Sequence, residues 1–305
     1  MRPRVWRHGW CPAFGLALLL LAGCATSPAP LVVAAAPNPG GNPADAAAPA
    51  PATSPAATAQ AERDEIFTLL AYAVVLKDWQ SSGSPAGAAA ARGYNIGSVL
   101  VDPAQRHAVY WGLNSVYLTE NRTQHGEVRL MTCFFERMRE AGTPLSTLKG
   151  YTIYTTLEPC AMCSGMMVLT SVPRTVYGQE DPGFGKALER LKLDSSQCQG
   201  YPPYPRAVES DHAAVDAAGQ LERRYDDYRR NHPDNPSITD FLATPEARQV
   251  YEAALAAFLS LEPRFAENQA VLADARDFYT CYSRVTPAAG CPDLAALHCL
   301  APGHP

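Results

Sequence analysis

Two short runs hold residues able to share one metal ion. In His125-Gly126-Glu127 an imidazole and a carboxylate lie two residues apart, and in Pro159-Cys160-Ala161-Met162-Cys163 two thiols lie three apart. One nitrogen and two sulfurs suit Zn2+. Three protein ligands leave the fourth tetrahedral position open for water, the arrangement of a catalytic site. Zinc lowers the pKa of such a water toward about 7. Glu127 stands too far round a helix from His125 to be forced into the same ligand set. Its carboxylate is expected to face the water and move protons.

Two other readings of the cysteines stay open at this point. A C-x-x-C pair opening a helix after a strand also suits a redox couple, but that leaves His125 and Glu127 without a role. A structural zinc site needs a fourth ligand, and Cys133 is the nearest candidate in sequence. It follows His125 by eight residues on the same helix, about 12 Å away at 1.5 Å per residue, and reads instead as a small core residue.

The surrounding pattern supplies elements to carry these groups. Ile66, Leu69, Leu70, Ala73 and Val74 have the spacing of an amphipathic helix. Residues 81–93 form a Gly/Ser/Ala loop. Strands are predicted over 95–101 and 107–113, joined as a hairpin through Asp102-Pro103. A helix over 126–140 follows, with Leu130, Phe134 and Met138 on one stripe. Next come a strand over 151–157, a helix over 160–171, a strand over 174–178, a short strand over 206–209 and a charged helix over 211–230. Residues 238–242 and 247–261 are also periodic. Strands alternating with helices predict a sheet covered by helices and in part parallel. Cys160 and Cys163 then open one helix, after Pro159, where no N–H is needed. The helix N-terminus favours thiolate there. His125 opens another helix, so side-by-side helices would bring the three ligands together.

The run Thr155-Thr156-Leu157-Glu158-Pro159-Cys160-Ala161-Met162-Cys163-Ser164-Gly165-Met166-Met167, taken with His125-Gly126-Glu127, resembles the cytidine deaminase superfamily, whose signature is H-x-E…P-C-x-x-C. Its bacterial tRNA adenosine deaminase and guanine deaminase branch is the nearest in pattern. Arg174-Thr175-Val176-Tyr177-Gly178 followed by Asp181 is similar to that branch's next strand and loop. The resemblance spans roughly residues 62–230. It implies a three-layer α/β/α sandwich around a five-stranded mixed sheet, with a helical C-terminal segment left over. It implies Zn2+ as cofactor, attack by zinc-bound hydroxide on an amidine-like carbon with loss of ammonia, and Glu127 as proton shuttle. Asn114, eleven residues before His125, matches a substrate-contacting asparagine; it also reads as a turn residue after a strand. Asp181 begins ordinary Asp-Pro-Gly turn chemistry, and Glu158 reads as a buried carboxylate tying down a loop. Gly126 departs from the alanine common in the tRNA enzymes.

The rest of the chain sets the context. Arg2, Arg4 and Arg7 precede a short apolar run, Phe14 to Ala22, and Leu21-Ala22-Gly23-Cys24 resembles a lipobox, which makes Cys24 the lipidated residue. Residues 1–24 are therefore expected to be a lipoprotein signal. Residues 25–61, with 15 alanines and 8 prolines, are expected to be a linker. Residues 62–232 would be the deaminase domain and 233–305 a helical extension. The mature chain is expected outside the cytoplasm, anchored by lipid to a cell-envelope membrane, on its periplasmic face or in the outer membrane. Such a compartment permits disulfides, and Cys281, Cys291 and Cys299 are the nearest set to pair.

Residues 62–215 hold 14 Lys+Arg against 16 Asp+Glu, with no basic stripe for phosphates. The expected substrate is therefore a base, nucleoside or nucleotide of adenine, guanine or cytosine type rather than a nucleic acid. The alternatives are a deaminase of RNA or single-stranded DNA, and a non-catalytic zinc-stabilised interaction lipoprotein. Members of this superfamily often self-associate, so a homo-oligomer is also expected.

Overall fold

A computed structural model describes residues 58–81, 92–198, 200–285 and 289–292. The signal and lipobox with Cys24, nearly all of the linker, most of the 81–93 loop and Cys299 lie outside the described residues.

Five strands form one sheet in the order β2-β1-β3-β4-β5. β1 (Gly97–Val101) and β2 (Ala108–Leu113) are the antiparallel hairpin expected. Asp102 closes its turn by accepting the N–H groups of Arg106 (2.7 Å) and His107 (2.8 Å). β1 also pairs antiparallel with β3 (Thr152–Leu157), and β3, β4 (Arg174–Gln179) and β5 (Glu209–His212) run parallel. The sheet is thus mixed. The last strand falls three residues later than its pattern suggested, because the segment before it is an irregular loop rather than a strand.

One face carries α2 (Gly126–Glu140), α3 (Ala161–Leu169) and the short α4 (Ala187–Leu191) over Leu100, Tyr110 and Ile153. The other carries α1 (Ala59–Lys77) over Val99, Val101, Tyr154 and Val176. α5 (Asp216–Asn231), the single-turn α6 (Ile238–Phe241), α7 (Pro245–Ser260) and α8 (Gln269–Tyr282) join this second core. α5 begins five residues later than its charge pattern suggested.

α1 is not amphipathic in the sense its spacing suggested. Every residue from Ile66 to Val75 is buried, because the sheet takes one side and α7 and α8 cover the other. Glu62 fastens this arrangement. Its fully buried carboxylate accepts from Arg264 N (2.7 Å), Phe265 N (3.2 Å) and Asn268 Nδ2 (2.8 Å). Burial alone would raise its pKa, but these hydrogen bonds outweigh it and hold the carboxyl below its ordinary range.

The C-terminal segment reaches the opposite face as well. Cys133 on α2 is bonded to Cys291, 158 residues away in sequence. This corrects the reading of Cys133 as a free core thiol and of Cys291 as a partner for its near neighbours. Cys281 is disulfide-bonded too. Sequence proximity misled because the chain brings its end back over α2, where Arg129 donates to the carbonyls of Ala289 (3.1 Å) and Gly290 (2.8 Å).

A close approach of backbone sets the height of α2 on the sheet. A Cβ on Gly112 would stand 2.1 Å from the carbonyl oxygen of Gly126 and 2.6 Å from Leu130 N. Both are main-chain atoms and cannot swing away. Gly112→Ala is therefore expected to lift the N-terminal turn of α2 and cost about 1–3 kcal/mol. A thermal melt reads this directly; an unchanged midpoint would show that the contact is slack.

Candidate active site

β2 and β3 end side by side on one rim of the sheet, separated only by β1 running the other way. Each end leads toward a helix of the same face. His125 is the N-cap of α2 and Cys160 the N-cap of α3. Cys160 therefore precedes the helix rather than lying in its first turn, and Cys163 sits at the third helical position. Two helix N-termini, with their unpaired N–H groups and positive dipole ends, converge on the same corner.

There the three expected ligands meet. His125 Nδ1 lies 3.6 Å from Cys160 Sγ and 3.7 Å from Cys163 Sγ, and the two sulfurs are 3.7 Å apart. Zinc–sulfur bonds of about 2.3 Å and zinc–nitrogen bonds of about 2.0–2.1 Å at tetrahedral angles require separations of about 3.8 Å and 3.6 Å. The triad fits zinc on spacing and on donor chemistry. Among the described residues it is the one His/Cys/Asp/Glu group placed to hold a metal. Cys133 is tied up with Cys291 and supplies no fourth ligand.

The two thiols are shifted in opposite directions by their mutual contact. The contacts with Cys163 and His125 hold the Cys160 thiol down at about 4, while the contact with Cys160 and burial push Cys163 up. His125 is raised, first by its contact with Cys160. A sulfur separation of 3.7 Å is far from the about 2.05 Å of a disulfide. With zinc bound, both thiols are expected to resist alkylation, and to become reactive when zinc is removed by a chelator. Mass-spectrometric thiol counting checks this, and a Cys160–Cys163 disulfide in fresh zinc-loaded protein would contradict it.

Glu127 is buried beside the triad. Its Oε1 accepts from Thr155 Oγ1 (3.2 Å) and its Oε2 lies 3.5 Å from Cys163 Sγ. Burial is the main reason its carboxyl is raised above the ordinary range.

Asn114 directly follows β2 and is fully buried. Its Oδ1 accepts from the N–H of Tyr94 (3.1 Å) and of Val116 (3.5 Å). Those contacts fix which end of the amide is oxygen. Its Nδ2 is left without a partner. Arg92, itself buried, donates to the carbonyl of Asn114 and holds that loop. Glu158 does what its sequence context suggested, accepting from Asp181 N (3.1 Å) and Lys186 N (2.9 Å). Asp181 behaves as a turn residue, accepting from Gly183 N (2.9 Å) and Phe184 N (3.0 Å).

All four central groups, His125, Glu127, Cys160 and Asn114, open onto one cavity of about 980 Å3. Sequence reasoning quoted Thr155 in the motif without giving it a role, and did not reach Tyr94 or the wall formed by Tyr225 and Pro236–Thr239. Strand alternation from Ile153 could have turned Thr155 toward α2. No local signal could have placed the far wall.

Residues 80–179 match the family model of the cytidine and deoxycytidylate deaminase zinc-binding region. The chain is 53% identical over 91 residues to a tRNA-specific adenosine deaminase of Bacillus subtilis, covering 30% of this chain and 52% of that protein. It is 29% identical over 110 residues to the tRNA-specific adenosine deaminase of Rickettsia felis, covering 35% and 72%. A solved guanine deaminase of Bacillus subtilis is 20% identical, covers 54% of this chain and 93% of its own, and has a TM-score of 0.31. The share of a curated relative's length that the chain spans runs from 72% in the Rickettsia protein down to 26% in a tRNA(Ile)-lysidine synthase of Deinococcus deserti. Residues 80–179 are thus similar to the zinc-binding region of cytidine and deoxycytidylate deaminases.

Proposed function

We propose that this chain is a zinc-dependent hydrolytic deaminase of a nucleobase or nucleoside. The observation that carries this reading is the pairing of a buried carboxylate with an unpaired buried amide. Glu127 stands beside the metal triad and Asn114 Nδ2 is without a partner in the same cavity wall. A structural zinc site needs neither. His125, Cys160 and Cys163 would hold the metal. When bound, zinc supplies a Lewis acid that makes water nucleophilic at neutral pH.

The remaining chemistry belongs to the chain. Asn114 Nδ2 donates to an acceptor on the substrate ring and orients it. Glu127 takes a proton from water and delivers it to a ring nitrogen, then carries the second proton to the departing amine. The net change replaces C–NH2 by C=O, consumes one water and releases ammonia. Water loses both protons, and Glu127 ends as it began.

The cavity lining favours an unphosphorylated substrate. Glu120, Glu127, Glu158 and Asp181 face it against Arg122 alone among the Lys and Arg side chains. A phosphate meeting that balance pays a like-charge penalty, which argues against nucleotides and nucleic acid strands.

The test incubates the zinc-loaded full chain with bases, nucleosides, nucleotides and short oligonucleotides, reading ammonia and product mass. Conversion of a base or nucleoside that stops when zinc is stripped supports the reading. Conversion of oligonucleotides alone would replace it with the nucleic-acid reading. No conversion at full zinc occupancy would leave the scaffold reading.

We further infer that the chain works outside the cytoplasm, tethered through a lipid on Cys24. The Cys133–Cys291 bond supports an oxidising compartment. In cells, Cys24→Ser is expected to move the protein from the detergent phase to the aqueous phase. An unmoved protein would remove the anchor. Among the described residues no helix is long and apolar enough to cross a membrane.

A further inference from the structure

The cavity is built from two sources. The metal triad, Glu127 and Asn114 come from residues 114–163, within the matched region. The facing wall comes from Tyr225 on α5 and from Pro236, Ser237, Ile238 and Thr239, all beyond the matched residues 80–179.

That wall is fixed in place at both ends. Tyr225 Oη donates to the carbonyl of Pro236 (2.7 Å). Ser237 caps α6 by accepting from Asp240 N (3.3 Å). Farther on, Asn95 Nδ2 donates to the carbonyl of Leu242 (2.9 Å), and Tyr251 Oη donates to the carbonyl of Asn95 (3.2 Å). Phe241 and Leu242, which follow the wall, are buried. The stretch is a standing part of the site.

Its polar groups are hydroxyls. Ser237 Oγ and Thr239 Oγ1 are 2.9 Å apart and half-buried. One hydroxyl proton joins them, which leaves the other to donate and a lone pair to accept. A volume of about 980 Å3 lies at the upper end of the about 300–1,000 Å3 typical of small-molecule sites. A bare ring would leave much of it to water.

We propose that this wall is the subsite for the group attached to the reacting ring, that this group is uncharged and hydroxyl-bearing, as is the sugar of a nucleoside, and that Thr239 is a specificity-determining residue. The proposal rests on the deaminase reading. Adjacent hydroxyls on the substrate match the Ser237–Thr239 pair, and this wall brings no Lys or Arg side chain to hold a phosphate.

The experiment uses the zinc-loaded full chain and has two arms. The first measures kcat/KM for a base, its nucleoside and its nucleoside 5′-monophosphate. The second measures binding of purine, 2-pyrimidinone and their ribosides by calorimetry; these rings carry no exocyclic amine and are not deaminated. The wild type is expected to favour the nucleoside in the first arm and a riboside in the second. Thr239→Val keeps the shape and removes one hydroxyl. It is expected to weaken nucleoside turnover and riboside binding about three- to tenfold, the worth of one hydrogen bond, while the bare rings are unaffected. A wild type that favours the monophosphate or the base overturns the proposal. So does a Thr239→Val variant that weakens base and nucleoside alike. If no ring is deaminated, the deaminase reading fails, and the binding arm still decides the subsite.

Discussion

Replacing Glu127 with glutamine is expected to lower kcat by about 10²–10⁴-fold while the protein stays folded and keeps its zinc. Glutamine preserves the volume of a fully packed position and still offers an oxygen to Thr155 Oγ1, so the local structure has little reason to change. What it lacks is basicity. Burial already raises the Glu127 carboxyl above its ordinary range, which makes it a stronger base than an exposed glutamate. The metal ligands are untouched, so zinc content measured by atomic absorption separates loss of chemistry from loss of metal. Thr155→Val should follow with a smaller drop, up to about tenfold, because it removes one hydrogen bond to the carboxylate and nothing else. Undiminished kcat in Glu127→Gln would take the proton shuttle away from this residue.

The second large effect concerns stability. Replacing Cys133 and Cys291 together with alanine is expected to cost about 2–5 kcal/mol. The bond closes a span of 158 residues, for which loop entropy alone gives roughly 5 kcal/mol. For a domain of this size that is a fall in melting midpoint of roughly 4–20 °C. The bond also joins α2, whose N-cap is His125 and whose first turn carries Glu127, to the segment that Arg129 grips through Ala289 and Gly290. The loss should appear in a melt of the oxidised wild type against the double variant, and reduction of the wild type, which also opens the Cys281 bond, should lower the midpoint at least as far. An unchanged midpoint would mean that Arg129 and the surrounding packing hold the segment unaided.

Much of the metal corner was legible from residue types and spacing. His125, Cys160 and Cys163 converge within 3.7 Å, and α2 has the bounds its apolar stripe suggested. Local pattern sufficed because each ligand sits at the start of an element, where cap and strand-end chemistry are read from neighbours in sequence. Asn114 was ambiguous between turn and ligand. Only the tertiary placement of Tyr94, whose N–H occupies Oδ1, shows that the amide nitrogen is left without a partner. α1 was misjudged for a related reason: its second covering, α7 and α8, arrives nearly two hundred residues later. The Cys133–Cys291 bond and the Pro236–Thr239 wall share that origin. Contacts at such separation leave no periodicity behind.

The staple on α2 has a consequence for how the molecule is made. A ribosome adds about 5–20 residues per second, so Cys291 emerges roughly 8–30 s after Cys133. Cys160 and Cys163 emerge in that interval, and an oxidant meeting the young chain would find them beside Cys133 before its intended partner exists. Zinc held by His125, Cys160 and Cys163 then acts as a protecting group in the synthetic chemist's sense, keeping both of those thiols out of exchange until the last segment arrives.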